Sequence, residues 1–312
     1  MTELGATSTT EDVLTGIDLS GRRIVVTGAS TGLGEETARA LASAGASVTL
    51  AVRDLGRGDA AAGRIRAAVP GADLEVRPLE LGSLASVRAF VAGFLADHDR
   101  LDVLVNNAGV MACPYAETED GFELQFGTNH LGHFVLATGL VPLLRAGDPS
   151  RVVSVSSSGH RLADVDLDDP GFATTEYAPW IGYGRAKTAN VLFAVELDNR
   201  FRDDGLRAFA LHPGAIMTEL ARHLTDVTLG EMISSIPEGH EVAFKSIPQG
   251  AATSVFAAVS PVLDGLGGCY LEDCAVADVT DDPDAMGGVR SYAVDPDRAA
   301  ALWDLSERLT SA

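Results

Sequence analysis

Cysteine is scarce in this chain: Cys113, Cys269 and Cys274 are the whole set among 312 residues. An odd, widely spaced trio makes a poor disulfide framework and suits a reducing compartment. No Cys/His cluster has zinc spacing. His130 and His133 lie three apart on an expected helix, too few ligands for a metal, so none is expected. Long apolar runs are missing too; none approaches the roughly 18 to 20 residues that a membrane helix needs. The first sixteen residues are polar and lack a basic stretch followed by an apolar one, so no signal peptide is expected. Positive charge is short: 23 Lys and Arg stand against 44 Asp and Glu, a formal net charge of -21. Such a surface repels nucleic-acid phosphates and anionic lipid, so neither nucleic acid nor membrane is an expected partner. The expected location is the cytoplasm. Any anionic cofactor needs a local cradle of backbone N–H groups or of positive charge.

What is present is a rhythm. Apolar residues make up 46% of the chain, enough for a sizeable core. Short apolar runs at 24–26, 48–52, 74–79, 101–105, 151–155, 206–211 and 268–271 read as strands. Helical stretches at 32–44, 60–69, 87–96, 123–145, 183–201, 249–259 and 296–309 lie between or after them. Repeated βα units with apolar strands predict an α/β fold: one doubly wound parallel sheet with helices on both faces. Residues 1–20 read as a flexible N-terminal arm and residues 21–312 as a single domain. Two long connections, 160–182 and 218–248, follow strand ends. In open α/β sheets the ligand lies at the carboxyl ends of the strands, so both are expected substrate loops.

Thr27-Gly28-Ala29-Ser30-Thr31-Gly32-Leu33-Gly34 joins the first strand to the first long helix. Glycines at this spacing let backbone N–H groups approach a pyrophosphate at the helix N-terminus. The expected cofactor is therefore a dinucleotide. An acid at the end of the second strand would hold a ribose 2′-hydroxyl and repel a 2′-phosphate. Here the strand ends in Val52 and Arg53, and a guanidinium matches phosphate oxygens, so NADP(H) is expected over NAD(H). The other reading is a solvated Arg53 paired with Asp54.

Lysine is nearly absent as well, with only Lys187 and Lys245 against five tyrosines. Tyr183 alone has a lysine four residues on, and on a helix those positions share a face. A free phenol titrates near pH 10, and a nearby ammonium lowers that value toward the range useful for general acid–base catalysis.

These motifs together resemble the short-chain dehydrogenase/reductase family. T-G-A-S-T-G-L-G at 27–34, N-N-A-G at 106–109, Asn129, V-S-S at 155–157, Tyr183-x-x-x-Lys187 and Pro213-Gly214 occur in that family's order, over about residues 20–275. Further details are similar to its retinol dehydrogenase-like branch, and parts are shared with protochlorophyllide reductases and WW-domain oxidoreductases. These are Ala51-Val52-Arg53-Asp54, Thr128-Asn129-His130-Leu131-Gly132-His133-Phe134, Ser156-Ser157-Ser158-Gly159-His160 and Gly268-Cys269-Tyr270-Leu271-Glu272-Asp273-Cys274. Two departures stand out. Glu80 occupies the place of the family's usual Asp near the adenine. The membrane anchor common among animal retinol dehydrogenases is absent, so a role on membrane retinoids is not expected.

The resemblance implies a Rossmann fold and hydride transfer between NADP(H) and a carbonyl or alcohol carbon. It implies Tyr183 as general acid–base and Ser157 as the group that orients the substrate oxygen, although Ser156 and Ser158 are neighbours. Lys187 would also bind the ribose, and Asn129 would hold a water leading to Lys187; the other reading of Asn129 is a buried amide bonded to backbone. Gly28, Ser30, Thr31, Gly32, Leu33, Gly34, Arg53, Glu80, Leu81, Asn106, Asn107, Ala108, Gly109, Pro213, Gly214 and Thr218 would line the cofactor. His160, Tyr177 and Trp180 are candidate substrate contacts, with a structural histidine the alternative for His160. Ile181, Leu220, Leu224, Met232 and Ile236 either complete an apolar pocket or pack on neighbouring helices. The expected substrate is a small, apolar ketone, aldehyde or secondary alcohol. A homodimer or homotetramer is the family's habit. Two other classes stay open, an epimerase or dehydratase on this scaffold and a non-catalytic NADP(H)-binding regulator.

Overall fold

The computed structural model describes residues 4–147, 149–217, 220, 230 and 243–311. Its apolar runs form the strands β1 (Arg23–Thr27), β2 (Ser47–Val52), β3 (Leu74–Pro78), β4 (Val103–Asn106), β5 (Ser150–Val155), β6 (Leu206–His212) and β7 (Cys269–Glu272). All seven run parallel, and β8 (Ala275–Val276) turns back beside β7. The sheet order is β3-β2-β1-β4-β5-β6-β7-β8. The direction of progression therefore reverses between β1 and β4, where Val25 pairs with Leu104. That reversal opens a crevice beyond the carboxyl ends of the two strands.

Alternation along the strands explains why they read as unbroken apolar runs. Ile24, Val26, Val105 and Val153 pack on one face with residues of α2 (Gly32–Ser43), α3 (Leu55–Ala68) and α8 (Ile247–Val259). Val25, Leu104 and Val152 pack on the other with residues of α4 (Leu84–Asp97), α6 (Gly132–Ala146) and α7 (Pro179–Phe201). Both faces are covered, so the central strands have no polar side, whereas the edge strand β3 is only half-buried and pairs Glu75 with Arg77. A last helix, α9 (Pro296–Thr310), packs on α7 from outside through Leu302 and Leu305. No described helix is long and apolar enough to cross a membrane.

Two expectations change. The helix expected at 123–145 is built in three pieces: α5 (Leu124–Phe126), a π turn (Gly127–Leu131) and α6. The arm expected to be flexible is packed as far as the described residues reach, from residue 4. Its helix α1 (Thr10–Val13) starts with a capping box between Thr9 and Asp12. Val13 and Leu19 are 7% and 6% exposed within the core of the α2 face. The Thr10 hydroxyl donates to Glu36 at 2.6 Å, and Arg39 pairs with both Glu11 and Glu36. Leu19→Ala is therefore expected to cost roughly 2–5 kcal/mol in urea unfolding. A loss below about 0.5 kcal/mol, the size expected of an exposed site, would return this segment to a loose arm.

Candidate functional site

The crevice is shaped first by the turn after β1. Gly28 has φ +67°, and a Cβ there would sit 2.9 Å from the Ala108 Cα. A Cβ on Gly34 would collide with the Gly28 carbonyl oxygen. The turn thus lies against the end of β4 with no room for a side chain. Thr31 stands at the N-cap of α2, and its side chain makes no cap bond among the described residues. These are the features a dinucleotide phosphate requires, and the residues present fit one. The Thr27 hydroxyl accepts the N–H groups of Asn107 and Ala108 at 2.9 and 3.0 Å, and the Asn107 amide donates to the Thr27 carbonyl at 2.9 Å. The Asn106 amide is buried without a hydrogen-bond partner among the described residues.

At the end of β2, Arg53 is 72% exposed, with its Nε 3.6 Å from Glu80. Asp54 instead caps α3 by accepting the Arg57 N–H, and the partner of Arg53 is Glu80, two residues past the end of β3. Glu80 also accepts the Gly82 N–H at 2.9 Å. Leu81 is 5% exposed, and its side chain is committed to the core.

The three serines after β5 separate cleanly. Ser156 is buried and donates to the Lys187 carbonyl at 2.7 Å. Ser158 is exposed, and its N–H donates to His212. Ser157 alone shares a side-chain hydrogen bond with Tyr183, and its Oγ accepts the Gly159 N–H at 3.0 Å. Tyr183 and Lys187 lie one turn apart on α7, each 3% exposed, with the Lys187 Nζ 5.6 Å from the Tyr183 ring centroid. Nζ donates to the Val155 carbonyl at 2.9 Å. Burial pushes the Tyr183 phenol up to about 12, opposed by the Ser157 hydrogen bond. In the protein alone this desolvation outweighs the lowering expected from the ammonium. Burial likewise pushes Lys187 down to about 8.

Asn129 sits in the π turn, fully buried. Its amide accepts the Val110 N–H at 2.8 Å and donates to the Val110 carbonyl at 2.9 Å. Its side chain thus makes the backbone clamp that was the alternative to a water site. Gly109 lies between Asn129 and Lys187; a Cβ there would be 2.9 Å from the Asn129 Oδ1 and 3.8 Å from the Lys187 Nζ.

The substrate candidates fare unequally. His160 is 0% exposed, with Nδ1 2.7 Å from the Ser157 carbonyl, so it lies behind the serine. The Tyr177 hydroxyl donates to the Cys113 carbonyl and accepts from Gln125, and its ring stands edge-on to Tyr115 and Phe172. It anchors the loop from within. Trp180 is half-buried with its ring 6.0 Å from that of Tyr183, and remains beside the phenol. Pro213 is buried; Gly214 has φ +96°, and the Lys245 stem fills the place its Cβ would take. Thr218, Leu224, Met232 and Ile236 lie outside the described residues.

The sequence reading missed Gly159 as a site residue. A Cβ there would lie 2.7 Å from the Tyr183 Cε1, so the phenol can reach Ser157 only past a glycine. A glycine after three serines looks like a turn, and nothing in its spacing announces that contact.

A family model described as short chain dehydrogenase matches residues 22–228. The "Probable oxidoreductase" of Streptomyces lividans is 44% identical over 301 residues, spanning 95% of this chain and 100% of that protein. Retinol dehydrogenase 12 of Homo sapiens is 42% identical over 260 residues, 83% of this chain and 80% of that one. The crystal structure of an uncharacterized protein from Mycobacterium paratuberculosis matches with a TM-score of 0.73 at 36% identity, covering 98% of both chains.

Two predictions follow the geometry. Gly159→Ala pushes the Tyr183 ring away from Ser157, and turnover is expected to fall on the order of tenfold to a hundredfold. Wild-type kinetics in that variant would contradict the placement. The second concerns acid. Burial pushes His130 down to about 3, and His133 and His160 down to about 4. The unfolded chain takes up these protons near 6.5, whereas the folded protein resists until much lower pH. Their contribution to stability is complete above pH 6.5 and drains away as pH falls toward 4. The Tm is expected to drop already between pH 6.5 and 5, before most carboxylates titrate; a flat Tm over that window would contradict it.

Proposed function

This chain belongs to the short-chain dehydrogenases, a family of oxidoreductases, and on that footing we propose an NADP(H)-dependent enzyme whose substrate is a small, apolar carbonyl compound or alcohol and whose general acid–base is Tyr183. The observation that carries this reading is the half-buried Ser157 brought together with the buried Tyr183 and Lys187 beside the glycine-lined crevice. A nicotinamide bound there supplies or accepts the hydride. Ser157 orients the substrate oxygen by hydrogen bonding. Tyr183, protonated in its buried setting, gives its proton to the oxygen of a reduced carbonyl. Lys187 is still mostly ammonium at neutral pH and stabilises the phenolate that remains. Asn129, clamped on Val110, fixes the strand end on which Gly109 faces Lys187.

Support for NADP(H) comes from Arg53, exposed at the end of β2 where an acid would favour NAD(H). Support for an apolar substrate comes from Trp180, Leu162 and Met217, half-buried or exposed on the elements that carry Tyr183, Ser157 and Gly214. The likeness to retinol dehydrogenase 12 adds to it. The three cysteines are free, which suits the cytoplasm.

The test is titration with NADPH and NADH by fluorescence or thermal shift, for the wild type and Arg53→Ala. NADPH is expected to bind about 10- to 100-fold more tightly, with the preference lost in the variant. Equal binding of NADH would remove the role given to Arg53, and no binding of either would remove the function. In a panel of apolar ketones and aldehydes, Tyr183→Phe is expected to lower turnover on the order of 10²- to 10⁴-fold with NADPH binding kept.

A further inference from the structure

We propose that His160 is the positioning residue for Ser157, and that the chain from Thr280 to Tyr292 holds His160 in that role. The proposal rests on the oxidoreductase reading above for what Ser157 does, but its geometry stands apart from it. The Ser157 carbonyl oxygen accepts twice from His160, from the backbone N–H at 3.1 Å and from Nδ1 at 2.7 Å. A carbonyl only accepts, so Nδ1 carries the proton. Nε2 then accepts, and its donor is the Arg290 N–H at 3.3 Å. One neutral tautomer satisfies both bonds. Burial, with Arg161 and Arg290 nearby, keeps the ring neutral at pH 7 by pushing it down to about 4.

The ring is held by more than its two nitrogens. It packs on Tyr270 of β7 with centroids 4.9 Å apart. The His160 carbonyl accepts from the Tyr292 hydroxyl at 2.7 Å and from the Thr188 hydroxyl, next to Lys187 on α7, at 3.0 Å. The segment that supplies Arg290 and Tyr292 is itself closed. Arg290 donates to the carbonyls of Thr280 and Asp282, the Ser291 N–H donates to Asp281, and Arg161 donates to the Ala285 carbonyl. This strap lies beyond the residues matched by the family model.

The consequence for chemistry is direct. A serine hydroxyl is placed by one torsion on its own backbone, so fixing the peptide after Ser157 fixes where Oγ can point. Here Oγ is aimed by the Gly159 N–H from one side and its backbone is pinned by His160 from behind. Loosening that pin displaces the group that orients the substrate oxygen and leaves the cofactor crevice untouched. Its effect belongs in kcat and not in cofactor affinity.

Two substitutions separate positioning from packing. His160→Asn places an amide N–H near the Nδ1 position and keeps the bond to Ser157; His160→Phe keeps the ring on Tyr270 and loses both bonds. In His160→Phe, kcat is expected to fall about 10- to 100-fold with the NADPH Kd within about twofold, and His160→Asn is expected to recover most of the loss. In a Ser157→Ala background, His160→Phe is expected to cost nothing further, since the two residues act as one. An equal fold loss in both backgrounds, or an Asn variant as poor as Phe, would overturn the proposal. Should His160→Phe not fold, Tyr292→Phe removes only the hydroxyl bond to the His160 carbonyl, and a smaller kcat loss that vanishes in Ser157→Ala is expected. Nitrogen-15 NMR of the wild type gives a readout free of turnover. A neutral Nδ1–H ring is expected at His160, and an Nε2–H or charged ring at pH 7 overturns the proposal. A wild type that turns over no carbonyl while showing that tautomer would sink the oxidoreductase reading and leave the geometry standing.

Discussion

The Thr27 hydroxyl joins the two strands between which the crevice opens. Its oxygen accepts the N–H groups of Asn107 and Ala108, which uses both lone pairs, and its proton goes to the Nε2 of His133 at 2.9 Å. The His133 Nδ1–H then donates to the Asn129 carbonyl at 2.9 Å. The Val105 carbonyl, at 3.4 Å, is a second and longer acceptor for the Thr27 proton, and each polar atom in this buried chain has a partner. The glycine turn, the end of β4 and the π turn are thereby set at fixed distances from one another. The remaining site parts, on β5 and α7, are placed against that frame.

Burial is the second theme. It moves Tyr183 and Lys187 in opposite directions, to about 12 and about 8, so that the phenol keeps its proton more firmly than the ammonium does. In water the two groups would titrate close together. The protein separates them by desolvation, and the hydrogen bond from Ser157 is the one local influence that draws the phenol back.

How much of this was legible in the sequence depended on how local the cause was. Ile24-Val25-Val26 announced a strand because both its faces are covered, and the glycine turn announced itself because glycine is what a close approach demands. The spacing of Tyr183 and Lys187 sufficed to put them on one face of α7. The ion pair of Arg53 with Glu80 was not legible, because it depends on β3 lying beside β2 and the two residues are far apart in the sequence. For His160 both a substrate contact and a structural role stayed open, and Tyr177 was only a candidate contact, because position on a loop does not tell which way a side chain turns. The packing of Val13 and Leu19 was invisible because the surface that covers them is built from distant parts of the chain.

That last feature bears on how the molecule is made. The Thr7 carbonyl accepts from the Gln249 side chain, 242 residues further on. On a ribosome the first helix leaves the exit tunnel together with α2, to which Thr10 and Glu11 bind, but long before α8 has been synthesised, so part of its docking surface does not yet exist. The N-terminal segment can lock in fully only among the last events, when α8 arrives. A mostly polar stretch with single apolar anchors is well suited to that delay, for it offers newly made neighbours little to stick to.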